Sequence, residues 1–456
     1  MSEQISEHKS ENKMGVMPIK PLIISMSLPM MISMLVQALY NVADSLFVAQ
    51  VSEDALTAVT VAFPMQNLMI AVGTGTGVGI NAVLSQSLGS HDTEVANKAA
   101  NNGLLLTGFN YLLFVLIGVF VTGPFVSSQT SVPIIAEYAD TYIRIVTICS
   151  FGCFFQLVLE RLLQSTGKTI LSMISQLTGA IINIILDPIL IFGWFGMPAM
   201  GVKGAAIATC IGQCFAAAVA LFLNIRYNKE ITLSFRSIFR LSKSVVGKIY
   251  FVGVPSILMV SIGSIMTYFM NILLGGFSST AQAVFGVYFK LQSFFFMPVF
   301  GLNNGLIPVM AYNYGAKKKE RIIEALRFSV FLALVIMCVG TLVMELLPAQ
   351  LLLMFDASDK MLEIGIPALR IIGLHLPLAA LGITFSSVFQ AFSKSYYSLA
   401  VSLGRQLVIL LPVAWLFSLT GVLSNVWWCF PCAEVAALIM TFAFYFRVKK
   451  TVITPL

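Results

Sequence analysis

Three carboxylates lie within long apolar stretches of the first half of this 456-residue chain: Asp44, Glu160 and Asp187. A charged carboxylate in hydrocarbon costs ~2.5–3.5 kcal/mol on insertion scales, so each is a candidate for chemistry before it is a candidate for packing. Asp44 follows the cationic anchor Lys20, and Asp187 follows Lys168. At ~1.5 Å per helical residue, both reach the outer part of a bilayer from different segments. Asn183 precedes Asp187 by one turn and shares its helix face. Thr209, a little inward of Lys203, falls in the same layer. Pro188 has no N–H to offer and frees the carbonyl of Ile184. Two carboxylates, an amide, a hydroxyl and a carbonyl form an oxygen cluster that can hold a proton or a dehydrated hard cation. Asp44, Asn183, Asp187 and Thr209 are thus the candidate ion-binding residues, and the candidate metal ligands if the ion is sodium.

The remaining polar residues point less sharply. Glu160 stands at the inner end of its segment beside Arg161 and near Lys168, where a helix-end ion pair or a gate contact suits it. Lys290 falls near mid-bilayer, where it can pair with a carboxylate, shape a cavity or snorkel to the surface. With Asn41, these two are candidates for a gate or a substrate cavity. His375, alone on an apolar helix, reads as a hydrogen-bonded core residue; Glu345 reads as an outer-end residue and Glu434 as a cap on a local polar contact. The run GTGTGVG (Gly73–Gly79) lies inside an apolar segment with no strand before it, so close helix packing explains it better than phosphate binding. The seven cysteines all sit in apolar stretches and read as packing residues.

The elements that must position these residues follow from composition. Hydrophobic residues make up 58% of the chain and charged residues 10%, against about 25% charged in a soluble domain. This excludes a soluble protein, and the net charge of +7 lacks the polar surface of a nucleic-acid binder. With ~20 residues per span, twelve helices are expected, near Leu22–Ala49, Ala55–Leu88, Ala99–Val126, Tyr138–Leu163, Ile170–Trp194, Gly204–Ile225, Ile249–Phe277, Ala281–Tyr312, Ile322–Leu347, Leu362–Phe392, Tyr396–Leu419 and Val422–Phe446. Lys9, Lys13, Lys20, Lys98, Arg161 with Lys168, the cations between Arg226 and Lys248, those between Lys317 and Arg327, Lys394 with Arg405, and Arg447–Lys450 gather on one side. Positive charge stays in the cytoplasm, so both termini are expected there and the chain in a cell inner (plasma) membrane.

One fixed offset aligns the two halves, pairing Pro29 with Pro255, Gln66 with Gln292, Gly75 with Gly301, Gly79 with Gly305, Gly89 with Gly315, Arg144 with Arg370 and Lys168 with Lys394. Paired charges and amides at one offset indicate a duplication. The expected fold is an all-α membrane protein with twelve transmembrane helices in two pseudo-symmetric six-helix lobes, related by an axis along the membrane normal. The boundaries are a cytoplasmic tail 1–20, a first lobe 21–226, a linker 227–248, a second lobe 249–447 and a tail 448–456.

The first-span stretch LPMMISMLVQALYNVADSLFVAQV, LERLLQSTG, NIILDPILIFG followed by GVKGAAIAT, and GLNNGLIPVMAYNYGAKKKER together resemble the multidrug and toxic compound extrusion (MATE) family. The resemblance runs from Pro21 to Arg447. It implies an antiporter that expels lipophilic, mostly cationic compounds by alternating access, coupled to inward proton or sodium flow. It also places Asp44, Asn183, Asp187 and Thr209 at the family's amino-lobe cation site. The seventh and tenth spans offer Met259, Asn271 and His375 but no embedded acid, which resembles the DinF-like and MepA-like branch. Expected partners are small organic cations and the bilayer, with no nucleic acid, no cofactor beyond the coupling ion, and a monomeric state. A flippase for lipid-linked saccharides shares the two-lobed plan but is expected to carry more basic residues in its cavity. No H-E-x-x-H or G-x-S-x-G motif supports an enzyme. In a variant lacking the native cysteines, Ser242→Cys is expected to resist an impermeant thiol reagent in intact cells and to react once the membrane is opened. Labelling in intact cells would overturn the orientation.

Overall fold

A computed structural model describes residues 12–355 and 357–456. The spans are α1 (Ile19–Ala49), α2 (Glu53–Gly89), α3 (Thr93–Phe120), α4 (Pro133–Ile148 with Phe151–Ser165), α5 (Thr169–Phe192) and α6 (Val202–Tyr227). The second half continues with α7 (Lys243–Gly275), α8 (Ser279–Gly315), α9 (Lys319–Leu346), α10 (Asp359–Gly373 with Leu376–Ala391), α11 (Ser395–Ser418) and α12 (Leu423–Ile453). No strand occurs among the described residues. The duplication extends to detail. Ser52 caps α2 by accepting the Ala55 N–H at 3.0 Å, and Ser278 caps α8 by accepting the Ala281 N–H at 3.1 Å. Arg144 donates to the Val119 carbonyl at 3.3 Å, and Arg370 to the Glu345 carbonyl at the same distance.

Several expectations change. The fourth and tenth spans are bent, by 46° and 45°, where single helices were expected. In α10, Pro377 opens the second segment and cannot donate across the break. In α4, Gly152 allows close approach to α6; a Cβ there would stand 2.6 Å from the Cys214 nitrogen. Residues 243–248, expected within the linker, form the first turns of α7, because Val245, Ile249 and Val252 repeat at helical spacing and are buried. Residues 1–11 of the expected tail lie outside the described residues. From residue 12 onward that segment packs: Asn12 donates to the Thr166 carbonyl at 3.0 Å, and Asn313 and Arg321 each donate to the Met14 carbonyl at 3.0 Å. α11 widens into a π-helical stretch from Gly404 to Leu410, just before Pro412 interrupts the backbone ladder.

The lobes meet where α1 packs on α8 and α2 on α7. From Gly73 to Gly89 nearly every α2 side chain is buried, whereas between Ala55 and Met69 burial follows one face only. α8 repeats this, with near-complete burial from Pro298 to Asn313. The lobes are therefore joined through their linker-side halves. The duplicated glycines make that junction. A Cβ on Gly89 would lie 1.9 Å from the Tyr312 carbonyl oxygen, and one on Gly315 would lie 2.0 Å from that of Gln86. Further up, Gly75 and Gly79 abut α7, and Gly301 and Gly305 abut α1. The small-residue spacing thus serves close packing, as the sequence indicated. Gly89→Ala and Gly315→Ala are each expected to cost about 1–3 kcal/mol through overpacking against backbone. Gly108→Ala, which meets nothing within 4 Å in the interior of α3, is expected to leave the thermal unfolding midpoint unlowered or slightly raised.

Candidate functional site

In the first lobe, α5 and α6 pack along their lengths and α1 lies across α5. This brings together the side chains that the sequence placed at one depth. The Asn183 amide donates to Asp187 Oδ1 at 3.4 Å and to Thr209 Oγ1 at 3.3 Å. Thr209 in turn donates to the Ala205 carbonyl at 3.0 Å, which leaves its lone pairs facing Asn183. Asp187 is fully buried and stands within electrostatic reach of Asp44, with Tyr40 near both. The helix runs unbroken through Pro188 to Phe192.

The unpaired atoms define the chemistry. Asp44 Oδ1, Asn183 Oδ1, Asp187 Oδ2 and Gln213 Oε1 are buried and receive no hydrogen bond from another of the described residues. All four are acceptors, and buried acceptors without donors are costly and rare. Asn183 and Gln213, but neither aspartate, line a cavity of about 70 Å³ together with Gln37, Tyr40, Gln156, Gln176 and Thr209. It has room for a few waters. A proton, or a monovalent cation carrying part of its hydration, meets the needs of this acceptor-rich pocket. No group of three or more His, Cys, Asp or Glu side chains suited to a metal occurs among the described residues. Tyr40 and Gln213 were not singled out from the sequence. Each lies one turn from a chosen residue, Tyr40 before Asp44 and Gln213 after Thr209, and that periodicity is the available signal.

The three gate or cavity candidates do not converge on this pocket. Asn41 is exposed, and its carbonyl accepts the Ser45 hydroxyl at 2.9 Å. Lys290 is exposed, with its Nζ 5.8 Å from the centre of the Phe355 ring. Glu160 is buried and accepts from Gln156 Nε2 at 3.0 Å and Ser175 Oγ at 3.1 Å. Arg161 turns away from Glu160 and donates to Gln164 Oε1 at 2.9 Å and, across the lobe boundary, to Asn304 Oδ1 at 3.0 Å. Lys168 lies 3.7 Å from Glu230. His375 bonds the Tyr288 hydroxyl at 2.7 Å, at the break in α10.

Arg405 corrects the charge map. It was grouped with Lys394 on the inner face, yet it stands midway along α11 and contacts Glu434 of α12 through Nη1 at 3.2 and 3.3 Å. Glu434 is therefore half of a buried ion pair in the second lobe. Removing one partner of such a pair costs about 3–5 kcal/mol when burial is complete, and less here because the Arg405 side chain is 26% exposed. Glu434→Gln is expected to lower the unfolding midpoint, and Arg405→Met/Glu434→Leu to recover most of that loss. A midpoint unmoved by Glu434→Gln would show that the pair contributes nothing.

Comparison with known proteins accords with this architecture. The sequence profile of the MatE family matches residues 29–189 and 255–416, one segment in each lobe. The multidrug export protein MepA of Staphylococcus haemolyticus is 26% identical over 424 residues, covering 92% of each chain. The FAD transporter of Shewanella oneidensis is 27% identical over 441 residues, covering 95% of each. A multidrug resistance MATE family transporter of the MOP superfamily, solved in its outward-facing conformation, superposes with a TM-score of 0.90 at 26% identity, covering 98% of this chain and 99% of the other. The chain belongs to the MATE family and is a multi-pass membrane transport protein, not an enzyme.

Proposed function

We propose that this protein is a multidrug efflux antiporter that exports lipophilic, mostly cationic small molecules by alternating access, driven by proton or sodium inflow. The observation that carries this reading is the cluster of partnerless buried acceptors formed by Asp44, Asn183, Asp187 and Gln213, with Thr209 completing the layer. An ion there supplies what those oxygens lack. Its arrival changes the charge between α1, α5 and α6, and helices that pack differently with and without that charge form a two-state element. The lobes sealed at the linker end correspond to a state open on the opposite side. The positive charge around the linker supports a cytoplasmic location for that seal. The MepA relatives are named as multidrug exporters, and no basic side chain lines the first-lobe cavity, which supports cationic substrates.

One ion moving inward down 100 mV supplies ~2.3 kcal/mol, sufficient for roughly a fortyfold gradient of a neutral solute. Exporting a monovalent cation per ion is electroneutral and draws on the chemical gradient alone. In proteoliposomes with independently imposed pH and sodium gradients, Asp44→Asn and Asp187→Asn are each expected to reduce gradient-driven efflux of a lipophilic cationic dye by roughly tenfold or more. Lys290→Gln and Asn41→Ala, outside the acceptor cluster, are expected to retain most activity. Normal pumping by either Asn variant in a folded, inserted preparation would overturn the site.

A further inference from the structure

At the linker end of the second lobe, α9, α10 and α12 flank a half-open cavity of about 270 Å³. Its rim carries Arg327 and Lys449, both exposed; its walls include Leu326, Val330, Phe385 and Tyr445, and no carboxylate lines it. The duplication shows what fills the equivalent place in the first lobe. The offset that carries Pro29 onto Pro255 carries Asn97 and Asn101 of α3 onto Ile323 and Arg327 of α9. Asn97 Oδ1 accepts the Thr232 N–H at 2.6 Å, and Asn101 donates to the Thr232 carbonyl at 2.8 Å and accepts the Ser234 N–H at 3.0 Å. The linker backbone thus lies along α3, held by amides that match a peptide's donors and acceptors. In the second lobe those amides are replaced by an isoleucine and a cation, which suit an apolar chain and an anion.

Arg327 lies about two turns into α9, ~12 Å along the helix from its linker-side end at ~1.5 Å per residue. Basic pockets between membrane helices on the cytoplasmic side suit anionic lipid headgroups. We propose that this cavity binds an anionic phospholipid of the linker-side leaflet, its phosphate between Arg327 and Lys449 and its acyl chain against Leu326, Val330 and Phe385. A soluble phosphate makes no use of that apolar wall. The proposal relies on the cytoplasmic orientation given above only for the supply of anionic lipid, not for the geometry.

Native mass spectrometry of the full chain, titrated with dioleoyl phosphatidylglycerol or dioleoyl phosphatidylcholine, tests it. The expected result is a retained phosphatidylglycerol adduct whose apparent affinity falls by roughly tenfold or more in Arg327→Gln/Lys449→Gln, with phosphatidylcholine binding unaffected. Val330→Trp keeps both cations but fills the cavity, and is expected to weaken the adduct comparably. Lys243→Gln/Lys248→Gln removes the same charge elsewhere at this end and is expected to change nothing. The assignment is overturned if both cavity variants bind as the parent does, if the Lys243/Lys248 variant loses as much, or if an equal concentration of glycerol phosphate displaces the lipid.

Discussion

The structure rests on a backbone contact between the two lobes. At Gly89 and Gly315 the helices approach so closely that no side chain fits between them and the Tyr312 and Gln86 carbonyls. Each contact is the image of the other under the duplication. Contacts of this kind need no hydrophobic drive, which is weak between helices in lipid, because they gain from dispersion and close backbone packing. Around them the apolar side chains of both lobes form one continuous core at this end, and Arg161 to Asn304 is a polar contact that spans it directly. On the function proposed above, this junction is the one that has to open and close.

The acceptor cluster sits away from that junction, in the first lobe alone, and the two lobes treat buried charge differently. In the first, Asp44 and Asp187 keep oxygen atoms without donors. In the second, the buried acid Glu434 is neutralised internally by Arg405. The buried carboxylates of the first lobe are thus left for an external ion to meet on the function proposed above, whereas that of the second lobe is met by a side chain of the protein itself.

Much of this was legible in the sequence. Long apolar runs marked the spans, and the charges and amides paired at one offset marked the duplication, because chance similarity between apolar helices does not supply them. Asp44, Asn183, Asp187 and Thr209 were chosen by depth, since an ionisable group at a known distance from an anchoring lysine has a calculable height, and the fold brings the last three into hydrogen-bonding contact. Depth was also where the reading failed. Arg405 was counted with the loop cations because a charge near the end of an apolar run resembles a flank, and its partner Glu434 lies on another helix with no sequence relation to it. The bends in α4 and α10 were hidden because hydropathy does not register a change of direction. Packing of residues 12–18 depends on contacts with residues from Thr166 to Arg321, which local composition cannot reveal.

The central claim is that the buried acceptors are occupied by the coupling ion. Ion-induced difference infrared spectroscopy of the membrane-embedded protein addresses it without a transport assay. The account predicts that changing pH or sodium concentration alters a carboxyl or carboxylate stretch, and that this band is lost in Asp187→Asn and in Asp44→Asn but kept in Glu345→Gln. A carboxyl region indifferent to both ions, or one whose changes survive removal of both aspartates, would contradict it.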